Sequence, residues 1–415
     1  MSETVHVYVD LDGEAHSVGR MWVHMSGRRE AATFQYDDSW LSSARKFALE
    51  PALMLGSGDY HTDDGKALFG SLGDSAPDRW GRLLMSRAAK RSADASGKPP
   101  RFLREVDYLL GVHDYARQGA LRFAMEKGGV FLAENEGITT PPLVELPRLL
   151  AAADSVADDK DDDIRFLLAP GSSLGGARPK ASVIDTDGGL AIAKFPQKND
   201  TGDTVTWEAV ALTMAAKAGI SVHGWRREDV AGRPVLLLSR FDRQGTIRIP
   251  FLSAMSMIGS KDRETRSYLE IADALRLHGV RPQRDLAELW RRIVFTVLVS
   301  NVDDHMRNHG FLYDGESGWV LSPVYDVNPT PAEERPRILS STIDESDATA
   351  SLELAFDVAE YFDLTANEAR RIASEVGTVV GGWRQEAVSA GLSGQEIDRM
   401  TSAFEHRDLD AARRL

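Results

Sequence analysis

With 415 residues the chain exceeds the size at which a single hydrophobic core keeps growing, so at least two packed units are expected. Hydrophobic residues make up 42% and charged residues 27%, ordinary for a soluble globular protein, and the absence of cysteine excludes disulfides, thiolate metal sites and thiol chemistry. The formal net charge of −14, from 49 basic and 63 acidic residues, should repel a phosphate backbone, which argues against tight DNA binding by this chain alone.

In chain order, the opening MSETVHVYVD has neither the basic start nor the apolar centre of a signal peptide, and no apolar run approaches the ~20 residues that span a bilayer. A cytoplasmic setting without membrane attachment is expected. Within residues 5–36, VHVYVD, SVGRMWVH and AATFQY are separated by Asp-Gly and Ser-Gly-Arg turns and are predicted to be short strands. A helix is predicted in SLGDSAPDRWGRLLMSRAAK (71–90), opened by Ser75 or by Pro77, with Asp78, Arg79 and Trp80 as its packed start. Residues 101–125 read as helix, then partly extended chain. EGITTPPLVELP (136–147) is Pro-rich and is expected to be a linker; DSVADDKDDD (154–163) is expected to be a solvated acidic loop.

In LLAPGSSLGGARPKASVID (167–185), Gly171, Gly175 and Gly176 let backbone approach an anion closely, while Ser172, Ser173 and Lys180 can donate to phosphate oxygens. It is not a Walker A loop, because Ala177-Arg178 stands where Lys-Ser/Thr is required, and a plain hairpin connection is a competing explanation. ASVID and LAIAKFP flank Asp187-Gly188-Gly189 as a predicted hairpin with Lys194 on its second strand. A buried lysine there needs a partner. Glu208, in the predicted helix TVTWEAVALTMAAKAGI (204–220), is one candidate; a lysine snorkelling from an edge strand is the alternative. PVLLLSRFDR (234–243) reads as a buried strand ending in Ser239, Arg240, Phe241 and Asp242. From about residue 255 onward the pattern is mostly helical, as in SYLEIADALRLHG, RDLAELWRRIVFTVLVS and DLTANEARRIASEVGTVVGGWRQEAVSAG.

NVDDHMRNHGFLYDGESGWVLSPVYDVN (301–328) carries the densest chemistry. Asp303 precedes Asn308 by five residues, and Asp326 follows a predicted hairpin with FLY and WVL as strands and Asp314-Gly315 as turn. An Asp-x-x-x-x-Asn loop followed by a second Asp is the protein-kinase arrangement, in which one carboxylate faces the attacking hydroxyl while an amide and another carboxylate hold Mg²⁺. An Asp/Asn-rich loop capping a buried helix is the plainer alternative. Zinc on His305-x-x-x-His309 is disfavoured, because the glutamate of a metalloprotease helix is missing and Gly310 argues against a continuing helix.

GSSLGGARPK, AKFP, the helix beginning at Trp207-Glu208, SRFDR, NVDDHMRNHGFL and SPVYDVNP occur in one order over nearly the whole chain, and in this the sequence resembles the HipA family of serine/threonine kinases, the toxin halves of bacterial toxin–antitoxin pairs. The resemblance implies a two-lobed, protein-kinase-like α+β fold. Residues 1–140 would form an N-terminal β/α subdomain, 141–242 a small-lobe core with the Gly-rich loop, and 243–415 a mostly helical large lobe. It implies ATP and Mg²⁺ as cofactors, with Asp303 catalytic and Asn308 and Asp326 holding the metal. Gly175, Gly176, Ala177, Arg178, Pro179 and Lys180 would form the nucleotide loop, Lys194 would contact phosphates, and Ser239, Arg240 and Phe241 would form the adenine hinge. His305, Met306, Arg307 and Tyr325 would lie near the nucleotide, with Glu208 as the structural partner of Lys194. Ser173, or Ser172 beside it, would be the inhibitory autophosphorylation site, since a dianion there competes with ATP phosphates. The expected partners are a helix-turn-helix antitoxin of the HipB kind, through which alone DNA would be contacted, and a protein substrate for which family analogy suggests an aminoacyl-tRNA synthetase. Two departures stand out: Ser239 occupies a hinge position that can be acidic in the family, and the loop reads ARPK in place of Gln-Glu-Lys. Phosphorylation of a small molecule or lipid headgroup, and a nucleotide-binding co-repressor without turnover, are the competing functions.

Overall fold

The computed structural model describes residues 3–27, 29–132, 140–158, 160, 164–171, 176–315 and 318–415. The chain separates into two compact units, one of Met1–Asn199 with Glu228–Leu252 and one of Asp200–Arg227 with Ser253–Leu415.

In the first unit, β1 (Glu3–Leu11), β2 (Glu14–Ser26), β3 (Arg29–Tyr36), β4 (Tyr60–His61) and β5 (Leu121–Ala124) form an antiparallel sheet in the order β4-β3-β2-β1-β5. Asp12 and Gly13 both take positive φ, as the two-residue turn between β1 and β2 requires. Gly19 is obligatory for another reason: a Cβ there would lie 2.2 Å from the Gln35 carbonyl oxygen. Val5, Val7, Val9, Phe34 and Phe123 are buried by the sheet.

A second sheet contains β6 (Lys180–Ile184), β7 (Leu190–Lys194), β8 (Trp225–Val230) and β9 (Arg233–Ser239) in the order β6-β7-β9-β8. The predicted hairpin is present, closed by Gly188 at φ +82°. Helix Arg79–Ala95 contributes Trp80 and Leu84, and helix Leu146–Ala157 contributes Leu149, Leu150 and Val156, to one cluster with Val183, Ala193, Phe195 and Leu237. Each large aliphatic side chain so buried contributes about 1.5–3 kcal/mol against solvent exposure.

Three local expectations require correction. The helix expected to start at Ser75 or Pro77 is capped by Asp78, whose carboxylate accepts the Gly81 N–H at 2.8 Å. The stretch expected to be a linker is packed from Thr140 onward: Ile184 N–H donates to the Pro141 carbonyl at 2.9 Å, and a helix starts at Leu146. Pro147 does not prevent it, because an N–H is dispensable in the first turn of a helix. The acidic run is helical through Ala157, with Asp154 paired to Arg233 at 2.5 Å; Asp159 and residues 161–163 lie outside the described residues.

The second unit is mainly helical. Helix Pro282–Leu298 buries Leu286, Leu289, Trp290, Ile293, Val294, Phe295, Val297 and Leu298, so its last turns are buried on every side and need neighbours all round. Helices Tyr268–His278 and Ala366–Val380 pack against it. Helix Thr204–Lys217 and helix Trp383–Ser389 meet through Trp207 and Trp383, and the Trp383 ring stacks on Phe404 at 4.6 Å. The predicted hairpin pairs Gly310–Tyr313 with Trp319–Leu321, and Gly315 in its turn has φ +90°.

Candidate active site

Helix Pro282–Leu298 runs into the loop that holds Asp303. At its end Ser300 takes a left-handed φ of +52°, donates to the Ala403 carbonyl at 2.7 Å and accepts Arg337 Nε at 3.0 Å. The next anchor is Asp304, which is buried. Its carboxylate accepts the Tyr268 hydroxyl at 2.6 Å and meets His309 Nε2 at 3.0 Å, while its carbonyl accepts Ser341 Oγ at 2.8 Å. Burial by itself raises the pKa of this carboxyl, but His309 and the Tyr268 hydrogen bond outweigh that and hold it below the usual carboxylate range. Burial and the same carboxylate push the Tyr268 phenol well above its ordinary value. With its neighbour locked inward, Asp303 faces solvent with 61% of its side chain exposed, and its carboxylate accepts Arg335 Nη1 at 2.8 Å.

A single 3₁₀ turn, Met306–Asn308, follows. Asn308 donates its amide N–H to the Asp303 carbonyl at 3.3 Å, so its amide oxygen is the atom left to accept or ligate. Met306 and Asn308 are buried, whereas His305 and Arg307 are exposed and Arg307 pairs with Asp262 at 3.0 Å. His309 turns inward onto Asp304, away from any shared site with His305. The segment carrying Asp326 is stitched to this loop at several points. Tyr325 hydroxyl donates to the Arg307 carbonyl at 2.7 Å, Asn328 N–H to Asn301 Oδ1 at 3.0 Å, and Thr330 N–H to the Ser300 carbonyl at 3.1 Å. Asp326 itself sits at φ +60°, a conformation that aspartate tolerates better than most residues.

Among the described residues no group of three or more His, Cys, Asp or Glu side chains could hold a metal ion by itself. One amide oxygen and one carboxylate on two tethered segments fit a different requirement. Mg²⁺ is held through few protein oxygens and completed by water and phosphate oxygens, and both donors here are hard.

In the first unit, Lys194 ends β7 directly opposite Lys180 on β6. The Lys180 ammonium, expected to reach phosphate, lies 3.2 Å from Asp78, and both side chains are more than nine-tenths buried. Gly176 and Ala177 are exposed, Arg178 is half-buried and Pro179 is buried; Ser172, Ser173 and Gly175 lie outside the described residues. Ser239 ends β9 and Phe241 packs beside Phe251, with ring centres 6.1 Å apart. The Arg240 side chain is buried and spent on Asp242 and on the Ala116 and Arg117 carbonyls, and its backbone N–H donates to the Leu190 carbonyl at 3.0 Å, so only its backbone carbonyl remains for a hinge role. Glu208 is buried on helix Thr204–Lys217, in the second unit.

Sequence reasoning missed Asp304, Tyr268, His309 and Arg335. The Asp-Asp pair was visible, but nothing in the order of residues tells which member turns inward; Tyr268 and Arg335, more than thirty positions away on either side, carried no signal.

This fold and this loop define a kinase-like α+β protein. The profile of the HipA-like C-terminal domain matches residues 172–383, about half of the chain, and the protein belongs to that family. Two curated proteins of Sinorhizobium fredii are similar: "Putative kinase Y4mE", 26% identical over 330 residues and 72% of each chain, and "Putative kinase Y4dM", 26% identical over 231 residues, 49% of this chain and 52% of that one. Among solved structures, HipA of the Shewanella oneidensis MR-1 toxin–antitoxin system, determined with HipB and operator DNA, matches with TM-score 0.64 over 99% of both chains at 15% identity, a likeness of fold.

Proposed function

We propose that this protein is an ATP-dependent serine/threonine protein kinase that acts as the toxin of a toxin–antitoxin pair. The observation that carries the reading is the tethered arrangement in the second unit, where the exposed Asp303 carboxylate shares one braced loop with Asn308 and the Asp326 segment is tied to that loop. In the reaction, Asp303 orients the acceptor hydroxyl and takes its proton. The hydroxyl oxygen bonds to the γ-phosphorus as the bond from that phosphorus to the β–γ bridging oxygen breaks, and ADP leaves with the electron pair. Asn308 and Asp326 would hold Mg²⁺, which when bound offsets phosphate charge. From the first unit, the loop of Gly175 to Lys180 and Lys194 would serve the nucleotide phosphates, and the backbone from Ser239 to Phe241 would serve adenine. Placing positive charge where negative charge develops would supply most of the rate.

A net charge of −14 supports a helix-turn-helix partner of the HipB kind as the carrier of DNA contacts, and the Shewanella protein was solved in complex with HipB and its operator DNA. The protein acceptor, with an aminoacyl-tRNA synthetase as the family's analogue, and the inhibitory phosphate on Ser173 or Ser172 belong to the same proposal. Intact-mass measurement of the purified protein with ATP and Mg²⁺ tests it, alongside labelled ATP added to a cell lysate. The expected result is a gain of one phosphate on the chain and label on a lysate protein. Label on metabolites alone replaces the protein acceptor with a small molecule, and no transfer at all ends the kinase reading.

A further inference from the structure

The PDRWGR motif serves as more than a helix start. Asp78 has two tasks at once: one carboxylate oxygen caps the helix on the Gly81 N–H at 2.8 Å, and the other lies 3.2 Å from the Lys180 ammonium. Two residues on, the Trp80 indole N–H donates to the Lys180 carbonyl at 3.0 Å, and the Trp80 backbone N–H points to the Gly176 carbonyl at 3.4 Å. The Trp80 ring is fixed in the cluster that contains Ala181, Val183 and Phe195. A motif about one hundred residues upstream thus holds both ends of the described part of the nucleotide loop.

Lys180 and Lys194 are directly opposed across β6 and β7, where like charges repel. Asp78 offsets that repulsion on the Lys180 side. An ammonium with 4% of its side chain exposed needs a counter-ion, and Asp78, 8% exposed, supplies one. We propose that Asp78 and Trp80 are positioning residues for nucleotide binding, and that the buried Asp78–Lys180 pair makes Lys180 the anchor of the loop, leaving phosphate contact to Lys194. This rests on the kinase reading above and deepens it at the same site.

The test uses the full chain as wild type, Asp78→Asn, Lys180→Met and the double variant. Asparagine caps a helix as well as aspartate does, so Asp78→Asn removes charge while keeping the helix start. Two readouts are taken: KM for ATP against kcat, and amide hydrogen exchange over residues 176–181. Each single variant should raise KM about tenfold with kcat within about threefold, and the double variant, which loses the same pair, should be no worse than about threefold beyond the weaker single variant. Exchange over those residues should quicken about tenfold in Asp78→Asn. Effects that multiply in the double variant would mean that the two residues act separately, Lys180 on phosphate, and would overturn the proposal, as would unchanged exchange in Asp78→Asn. If wild type turns over no ATP, the kinase reading fails while exchange still decides the clamp. Should Lys180→Met not fold, Lys180→Gln takes its place.

Discussion

Asp242, just after β9, and Asp303, in the loop after helix Pro282–Leu298, are treated oppositely by their surroundings. Asp242 is buried with Arg240 and Arg243 on its carboxylate and the Gly119 N–H at 2.7 Å. Burial alone raises its pKa, yet the two guanidinium groups outweigh this and pull it far below the usual range. Around it, Asp114 is held by Arg122 and Arg248, and burial lowers the Arg117 guanidinium to about 9, still charged at neutral pH. Every charge in this cluster is committed to the fold. In the loop after helix Pro282–Leu298 the surrounding groups are equally committed, with Asp304 locked inward, but one carboxylate is left facing water beside a single arginine. A carboxylate marks a site less by its own partners than by how firmly everything beside it is held.

The sharpest way to break this contrast is Asp303→Asn. Phosphoryl transfer should fall by about 10²–10⁴ in steady-state kinetics, with a melting temperature close to that of wild type. A collapse in melting temperature would place Asp303 with Asp242 as a structural acid. Asp242→Ala should do the reverse and leave Arg240 and Arg243 buried without a counter-ion. Urea unfolding should show a loss of about 3–5 kcal/mol, and a neutral outcome would mean that the cluster is dispensable.

The pH response sharpens the comparison through a third group. His406 caps helix Arg407–Arg413 by accepting the Leu409 N–H on Nδ1, which only a neutral ring can do, and its Nε2 lies 3.2 Å from the Leu298 carbonyl. Burial first, and Arg337 second, lower its pKa from 6.5 to about 4. Folding therefore favours the neutral ring: this contribution is full above pH 6.5 and is lost as pH falls toward about 4, about 3 kcal/mol in all. His406→Gln should flatten the stability profile across that window, and an unchanged slope would assign acid sensitivity elsewhere. The smallest effect belongs to Arg335→Ala. An ion pair more than half exposed on both sides should change stability by no more than about 1 kcal/mol, and kcat by no more than about threefold.

The hairpins, the strand carrying Lys194 and the helix leading into Asp303 were legible because local periodicity and turn residues decide them. What stayed hidden depended on distant partners. Pro-rich residues 140–147 look like a break until β6 gives them somewhere to pair. Asp78 reads in the sequence as part of a packed helix start opened by Ser75 or Pro77, because nothing local reveals Lys180, more than one hundred residues away. Asp303 and Asp304 are chemically identical in the sequence, and only the Tyr268 and His309 pocket separates them. Arg240 lies just past the end of β9, and its side chain serves the segment before β5 and Asp242.

Asp326, at φ +60°, joins an electrical demand to a torsional one in a single residue. Glycine would relieve the backbone and delete the charge, and glutamate would keep the charge while losing the short side chain that makes this twist cheap. Asparagine alone preserves the shape with the charge removed. Comparing Asn and Glu at this position therefore separates what the backbone contributes from what the carboxylate contributes.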